Sequence, residues 1–546
     1  MIRRIVNRVW VAACARELRR FEEALQRLEE VQNSIVLANV RRNADTAFGR
    51  AHGFSDIRTV GDFQERVPIS GHAAYAESVA EIARGATGVL TTDPVSRLLP
   101  TSGSTSGSKL VPWTAMLGRE FRRGIDPWIA ALYTRHPGLL DSKAYWSISP
   151  PGPVSGLQSV IPVGFEDDSA YLGFAGRWVY GRVSVIPEGI SNCRNPMEFR
   201  DRTVLALLGE PDLGLVSVWS PTFFSLLLDH FESDPERLIS NLANRHPKRA
   251  DSLRRIIAET DPAGWWRRIW PRLRVLSCWT HGPSETTAAR LAERLPGVVT
   301  QGKGLLATEA FVSLPLADGM DPVLAANSHF YEFVETATGV VRLAHELDVG
   351  VIYRVVVTTG GGLYRYDLGD LVRVTGRIGP APCFRFVGRE GNVADLCGEK
   401  LHGPVVGEVL AGLLERHGIR ARFHLLAPED TGGPPRYVWF VETGSPPPEG
   451  LADELDTALS DNFHYAHCRR LGQLAHSAVF WIDPAATSGA AVYQDVMLSR
   501  GMRAGDIKLA PLDASTGWGS RFSGHPGDAA VTRTPDTGRQ AARITS

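Results

Sequence analysis

A chain of 546 residues that sets 59 Lys and Arg against 60 Asp and Glu carries a net charge of -1. It lacks the basic excess of a sequence-independent nucleic-acid binder, so a small-molecule partner is expected and nucleic acid is not. The chain is too long for one ordinary core, which makes a monomeric multidomain enzyme the default class.

The N-terminal stretch MIRRIVNRVWVAACAR mimics a leader, but its apolar run from Val9 to Ala15 is short. Leu18, Phe21, Leu25, Leu28 and Val31 then recur at helical spacing, and one continuous amphipathic helix is expected. No apolar segment of about 20 residues follows anywhere, so no membrane span is expected. The six cysteines (Cys14, Cys193, Cys278, Cys383, Cys397, Cys468) show neither a C-x-x-C pair nor zinc spacing, which suits a reducing cytoplasm.

Further along, TFFSLLLDHFES and SETTAARLAERL read as helices, while RLRVLSCW and YRVVVTT read as buried strands, the alternation of an α/β layered fold. From about residue 350 the texture turns to strands and turns, a β-rich subdomain. After Arg389 come a helix opened by Pro404 and closed at Gly418, strands RFHLLA and RYVWFVE, a helix from about Leu451 to Arg470, and strand HSAVFWI. That order predicts a large domain over residues 1–390, a small α+β domain over 391–520, and a disordered tail over 521–546.

The most informative stretch is PTSGSTSGSKLVPWT, residues 100–114. Gly, Ser and Thr in succession leave backbone N–H groups accessible and add hydroxyl donors, and Lys109 adds one cation, a chemistry suited to polyphosphate. A Walker loop fails on spacing, because the second glycine comes too early and Leu110 follows the lysine. A lipase elbow fails because Thr105 stands where the serine belongs. The pair Ser106 and Lys109 satisfies S-x-x-K and Ser460-Asp461-Asn462 supplies S-D-N, but no K-T-G occurs. A plain Ser/Gly linker is disfavoured by apolar neighbours on both sides.

TSGSTSGSKLVPWT resembles the phosphate-binding motif of the auxin-responsive acyl-acid amido synthetases, a family of adenylate-forming enzymes. NADTAFGRAHGFSDIRTVGDFQERVPIS, GLLATEAFVSLPL and YRYDLGDLVRVTG resemble further family segments in the same order, from about Gln32 to Leu512. The resemblance implies a large adenylate-forming domain, a small mobile C-terminal domain hinged near Arg389 to Glu399, and ATP and Mg²⁺ as cofactors. It also implies a two-step reaction, in which a carboxylic acid is adenylated and an amine, often of an amino acid, then displaces AMP.

By the same resemblance, Thr101, Ser102, Gly103, Ser104, Thr105, Ser106 and Gly107 would hold phosphate together with Lys109, and Thr308 would lie beside the nucleotide. Glu309 would bind Mg²⁺, in keeping with the oxygen ligands that ion prefers. Asp370 would accept from the ribose hydroxyls, with Arg389 nearby. Lys508 would approach the α-phosphate and the acyl carboxylate. Leu305 stands where the family often has Tyr, so adenine would be held by shape and backbone contacts. Phe223, Phe224, Trp279 and Gly282 fall in segments resembling the acyl pocket and would suit an aromatic or bulky acid. An acid–thiol ligase and a non-catalytic nucleotide or acid sensor are the alternatives.

Overall fold

The computed structural model describes residues 2–101, 109–147, 159–164, 181–190, 193, 196–390, 393–430, 433–502 and 504–527. The N-terminal segment is not one helix: Ile2–Gln26 and Leu28–Arg42 are separated at Arg27, whose φ of -121° and ψ of 40° leave the helical region. Arg27 is itself a good helix former, so the break comes from packing. The first helix lies on helix Ala115–Arg135 and the second reaches strand Phe330–Glu335, and Phe21, Leu25 and Leu28 on either side of the break are all buried.

The chain divides into two units, Met1–Gly391 with Tyr493–Ala510, and Asn392–Val492 with Pro511–Ser546. The expected second domain therefore gives up its segment Tyr493–Ala510, whose Ala504 joins an apolar cluster of the first unit.

In the first unit, β1 (Val95–Pro100) and β2 (Leu110–Thr114) pair antiparallel and flank the hydroxyl-rich loop. Next comes a parallel sheet of β3 (Lys143–Trp146), β4 (Leu213–Ser217), β5 (Val275–Cys278) and β6 (Val299–Gly302), in that spatial order. Both its faces are covered, as parallel sheets require. Leu215 and Val275 turn to the cluster that contains helix Ala115–Arg135, while Val216 and Leu276 turn to a second cluster. Four helices of that second cluster, Pro221–Ser233, Pro235–Ala243, Pro247–Glu259 and Pro262–Ile269, each begin on proline, whose fixed φ and missing N–H suit the first helical position.

The β-rich region is a seven-stranded antiparallel sheet of β7 (Ser313–Leu314), β8 (Val323–Leu324), β9 (Phe330–Glu335), β10 (Val341–Leu343), β11 (Ile352–Thr358), β12 (Tyr366–Ile378) and β13 (Ala381–Arg389). Its order is β10-β9-β11-β12-β13-β8-β7.

In the second unit, β14 (Val393–Ala394) pairs with β15 (Leu401–His402) ahead of helix Gly403–Arg416. A four-stranded sheet follows, of β16 (Phe423–Glu429), β17 (Arg436–Glu442), β18 (Ala478–Ile482) and β19 (Gly524–Pro526). The helix expected over Leu451 to Arg470 is two, Leu451–Leu459 and Phe463–Arg470, because Asn462 caps the second by accepting from His464 and Tyr465 N–H. That cap, with Ser460 donating to the Asp456 carbonyl, gives the S-D-N triplet a structural use. The expected disordered tail also begins too early. β19 pairs with β18, and Phe522 packs on Phe423, Phe440 and Trp518, apolar contacts that a polar-looking stretch concealed.

One buried ion pair ties the N-terminal segment to the seven-stranded sheet. Arg365 is 6% exposed with a left-handed φ of 46°, a strained position for a side chain of its size. Its Nε and Nη2 each donate to Glu332 at 2.9 Å, and Nη1 donates to the Gln64 and Val67 carbonyls at 2.7 Å. Glu332→Ala strands this guanidinium and should cost about 3–5 kcal/mol in urea unfolding. A cost under about 1 kcal/mol would mean that the pair does not hold the two segments together.

Candidate active site

The carboxyl ends of the parallel strands, where ligands of open α/β sheets bind, carry an unusual set of side chains. Beyond the named strands the ladder continues: Trp279 N–H donates to the Trp219 carbonyl at 2.9 Å, and Lys303 N–H to the Cys278 carbonyl at 2.8 Å. The Trp219 and Trp279 rings are neighbours, with centroids 6.0 Å apart and planes tilted by 38°. The ammonium of Lys508 lies 4.2 Å from the Trp279 centroid and 5.2 Å from that of Phe386. This is cation–π geometry, and it puts an otherwise exposed lysine beside the strand ends.

Gly282 makes room for that arrangement. With φ of 57° it turns the chain after β5, and a Cβ there would stand 3.3 Å from the Val387 carbonyl oxygen and 3.4 Å from the Phe386 ring. Only glycine takes both the dihedral and the approach without strain.

Glu309 sits on a tight turn in which Ala307 N–H donates to the Ala310 carbonyl at 2.9 Å, with Leu306 bridging Phe311. A buried relay fixes that turn. Phe311 N–H donates to His329 Nε2 at 3.1 Å, which makes Nε2 an acceptor and leaves Nδ1–H to donate to Glu120 at 3.0 Å. Glu120 also accepts from Gly360 N–H, and Tyr331 Oη donates to the Phe311 carbonyl at 2.7 Å. Glu309 is thus held only 3% exposed, with the Tyr366 hydroxyl 3.5 Å away and Thr308 half-buried beside it.

Asp370 on β12 is cross-strand partner of Arg389 on β13, and the Arg389 Nε lies 3.8 Å from its carboxylate. Arg389 Nη2 also donates to the Leu368 carbonyl at 3.1 Å. Burial raises the pKa of both carboxyls above the ordinary range. For Glu309 the opposing pull comes chiefly from Arg389 and also from Lys109, while Asp370 pushes it further up. For Asp370 the pull comes from Arg389 and then Lys508. These mutual effects place Glu309, Asp370, Arg389, Lys109 and Lys508 in one electrostatic neighbourhood.

Thr101 and Lys109 close the base of the hydroxyl-rich loop, with Thr101 N–H donating to the Lys109 carbonyl at 2.8 Å. The Thr101 hydroxyl is buried without a hydrogen-bond partner. Ser102, Gly103, Ser104, Thr105, Ser106 and Gly107 lie outside the described residues. Phe223 and Phe224, expected to line an acyl pocket, are packed instead in the cluster that takes Val216 and Leu276, where Phe224 stacks on Trp270 at 6.3 Å. Ser217, Ser277 and Gln301 are register partners with the parity of Leu215, so they line the other face and meet Trp128, whose Nε1–H donates to Gln301 at 2.9 Å. Among the described residues no group of three or more His, Cys, Asp or Glu forms a metal cluster.

Sequence reading missed Trp128, Trp219, Glu120, His329 and Lys303. The one signal available was proximity of Lys303 to the Glu309 motif in TQGKGLLATE. The glycine after it is a packing requirement: a Cβ on Gly304 would stand 1.8 Å from the Ser313 carbonyl oxygen. Gly304→Ala should therefore destabilise the protein by about 3 kcal/mol, the upper range for overpacking, in thermal or urea unfolding. An unchanged midpoint would show that the turn bearing Glu309 is free to move.

Residues 17–298 match the GH3 family N-terminal domain, residues 322–389 its central domain and residues 408–514 its C-terminal domain. The chain is 23% identical over 476 residues to indole-3-acetic acid-amido synthetase GH3.15 of Arabidopsis thaliana, covering 78% of this chain and 79% of that protein. It is 25% identical over 442 residues to indole-3-acetic acid-amido synthetase GH3.8 of Oryza sativa subsp. indica, covering 70% of each. Its fold is that of the solved AtGH3.15 acyl acid amido synthetase in complex with 2,4-DB, with a TM-score of 0.78 at 19% identity over 92% of this chain and 94% of that one. With GH3 domains matched in succession across most of its length, and that fold around the carboxylate pair, the chain belongs to the GH3 family.

Proposed function

We propose that this protein is an ATP-dependent acyl-acid amido synthetase. The observation that carries the reading is the pair of desolvated carboxyls, Glu309 and Asp370, flanked by Arg389, Lys109 and Lys508 at the strand ends, in a chain whose relatives are named amido synthetases. A carboxylate is a poor electrophile because its leaving group would be oxide. In the first step the acid's oxygen attacks the ATP α-phosphorus, forming an acyl adenylate and releasing pyrophosphate. In the second, an amine nitrogen attacks the acyl carbon, and AMP and a proton leave.

The side chains divide the work. Lys109 and the hydroxyl loop 101–107 bind phosphate, Asp370 accepts from the ribose hydroxyls, and Arg389 favours the ionised form of Asp370 against burial. Lys508 neutralises charge that develops between the acid and the α-phosphate, a preorganised electrostatic role. The single buried carboxylate of Glu309, with the Tyr366 hydroxyl 3.5 Å away, fits Mg²⁺, which keeps few protein ligands and completes its shell with phosphate and water. When bound, the ion would neutralise phosphate charge. The protein would act as a monomer in a reducing cytoplasm, consistent with its unbridged thiols. Among the described residues no helix is long and apolar enough to cross a membrane.

The test is acid-dependent exchange of pyrophosphate into ATP across a panel of aromatic, indolic and aliphatic acids, without amine. Exchange with any one acid supports the reading, and ATP binding without exchange for the whole panel overturns it in favour of a sensor. Lys508→Ala should lower exchange by about 100- to 1,000-fold while sparing aminolysis of a supplied acyl adenylate. Equal loss of both steps would remove Lys508 from the adenylation step.

A pH profile tests Arg389. Asp370 accepts from both ribose hydroxyls best when ionised, burial raises its pKa, and Arg389 is the largest opposing pull. Removing the cation raises that pKa further, so the carboxylate is neutralised at a higher pH. For Arg389→Met the acidic limb of ATP binding should therefore move toward neutral pH. A limb that stays in place, with affinity uniformly lower, would mean that Arg389 acts by direct contact alone.

A further inference from the structure

A second lysine stands at the same strand ends, and nothing in the adenylation chemistry uses it. Lys303 follows β6 and is only 7% exposed. Its side chain reaches back across the end of β5 and donates to Ser217 Oγ on β4 at 2.7 Å. The ammonium lies 4.2 Å from the Trp219 centroid and 4.9 Å from the Trp128 centroid. A lysine stem could easily carry its charge out to water. Here the aromatic walls and the serine keep the charge inside.

The surroundings are a built polar row, not a stray charge in a core. Trp146, Ser217, Ser277 and Gln301 are register partners across the four strands, at the carboxyl ends of strands that are apolar before them. Trp146 packs edge-on against Trp128 at 5.7 Å, and its Nε1–H is buried with no hydrogen-bond partner. A buried indole N–H left unmet costs free energy, so Trp146 is a donor that lacks an acceptor. Lys303 and Lys508 are linked through the neighbouring, tilted Trp219 and Trp279 rings, one ammonium on each indole.

From this we propose that Lys303, with Ser217, Trp128 and Trp146, forms a recognition subsite for an oxygen acceptor on the acyl acid, remote from the carboxylate that is activated. The acid then has an aromatic or apolar body lying along Trp219 and Trp279 and a hydroxyl, keto or second carboxylate group at its far end. This inference deepens the amido synthetase reading and rests on it for the identity of the ligand as an acid. Lys303 is a specificity residue: it selects the acid and takes no part in bond making.

Matched acids test it: benzoate against 4-hydroxybenzoate and terephthalate, and hexanoate against 6-hydroxyhexanoate and adipate. Binding to the full chain is read by intrinsic tryptophan fluorescence without ATP, and turnover by pyrophosphate exchange. In at least one series the acceptor-bearing acid should bind about 10- to 100-fold more tightly than its plain partner, the range of one charge-assisted hydrogen bond. Lys303→Met, which keeps the stem, should abolish that ratio. Lys303→Arg should retain most of it, and Ser217→Ala should reduce it, which covers the case of a poorly folding methionine variant.

A ratio near one in both series, binding of none of the six acids, or Lys303→Met weakening plain and acceptor-bearing acids alike, overturns the subsite. The two readings fail separately. If no acid supports exchange while fluorescence shows the Lys303-dependent preference, the adenylation reading falls and the subsite stands. Exchange with a ratio indifferent to Lys303 does the reverse.

Discussion

Two carboxyl groups held almost out of water, Glu309 and Asp370, set the terms for the rest of the first unit. Removing a carboxylate from water costs several kcal/mol, and a fold with no compensating charge would answer by keeping both protonated. The surroundings supply cations from separate parts of the chain: Arg389 across the β12–β13 ladder, Lys109 at the end of the phosphate-type loop and Lys508 from the returning segment. Arg389 does not close into a tight bidentate pair with Asp370, its Nε lying 3.8 Å from the carboxylate. These cations oppose the burial that raises both pKa values, and at Asp370 they do so without a tight pair occupying the carboxylate. A closed salt bridge would be more stable and useless for binding.

Such a pair must also be prevented from rotating out to solvent, and the buried scaffolding around it does this. The Glu120–His329–Phe311 relay and the Tyr331 hydroxyl pin the turn of Glu309 from the side facing the core. Glu120 simultaneously accepts from Gly360, ahead of β12, so one carboxylate braces both motifs. At Gly304 and Gly282 the absence of a Cβ lets one strand pass another at backbone distance. Each is a local departure from best packing that makes sense only as positioning.

How much of this the sequence disclosed depends on whether a residue's role is local. Thr308, Glu309, Asp370 and Arg389 sit in short ordered motifs, and the structure brings them into one neighbourhood. The strands and helices with strong period, such as Ile352–Thr358 and Pro221–Ser233, were equally legible. The break at Arg27 was not, because no local preference causes it. Phe223 and Phe224 looked like a pocket and belong to a core, since aromatic content cannot tell one face of a sheet from the other. β19 hid in a tail that lacks periodicity because its contribution is three paired residues and one aromatic anchor, Phe522. Lys303 between two glycines reads as a solvated charge, and its burial exists only in three dimensions.

Lys303 and Lys508 show why position decides what a lysine does. Both ammoniums lie over an indole at 4.2 Å, and the two indoles are neighbours with centroids 6.0 Å apart. Lys508 belongs to an irregular segment, stays exposed, and acts on Asp370 through space. Such a cation can meet charge that appears transiently and withdraw from it. Lys303 is anchored by its own backbone to β5 and by its ammonium to β4, so its field is fixed before any ligand arrives. A fixed, desolvated cation discriminates between ground states, because an acid lacking the matching oxygen leaves it and the Trp146 N–H with nothing gained on binding. In the proposed adenylation a reachable, solvated cation such as Lys508 would serve the reacting centre, where charge must be stabilised only as it forms. The Trp219–Trp279 pair would keep the two proposed tasks apart.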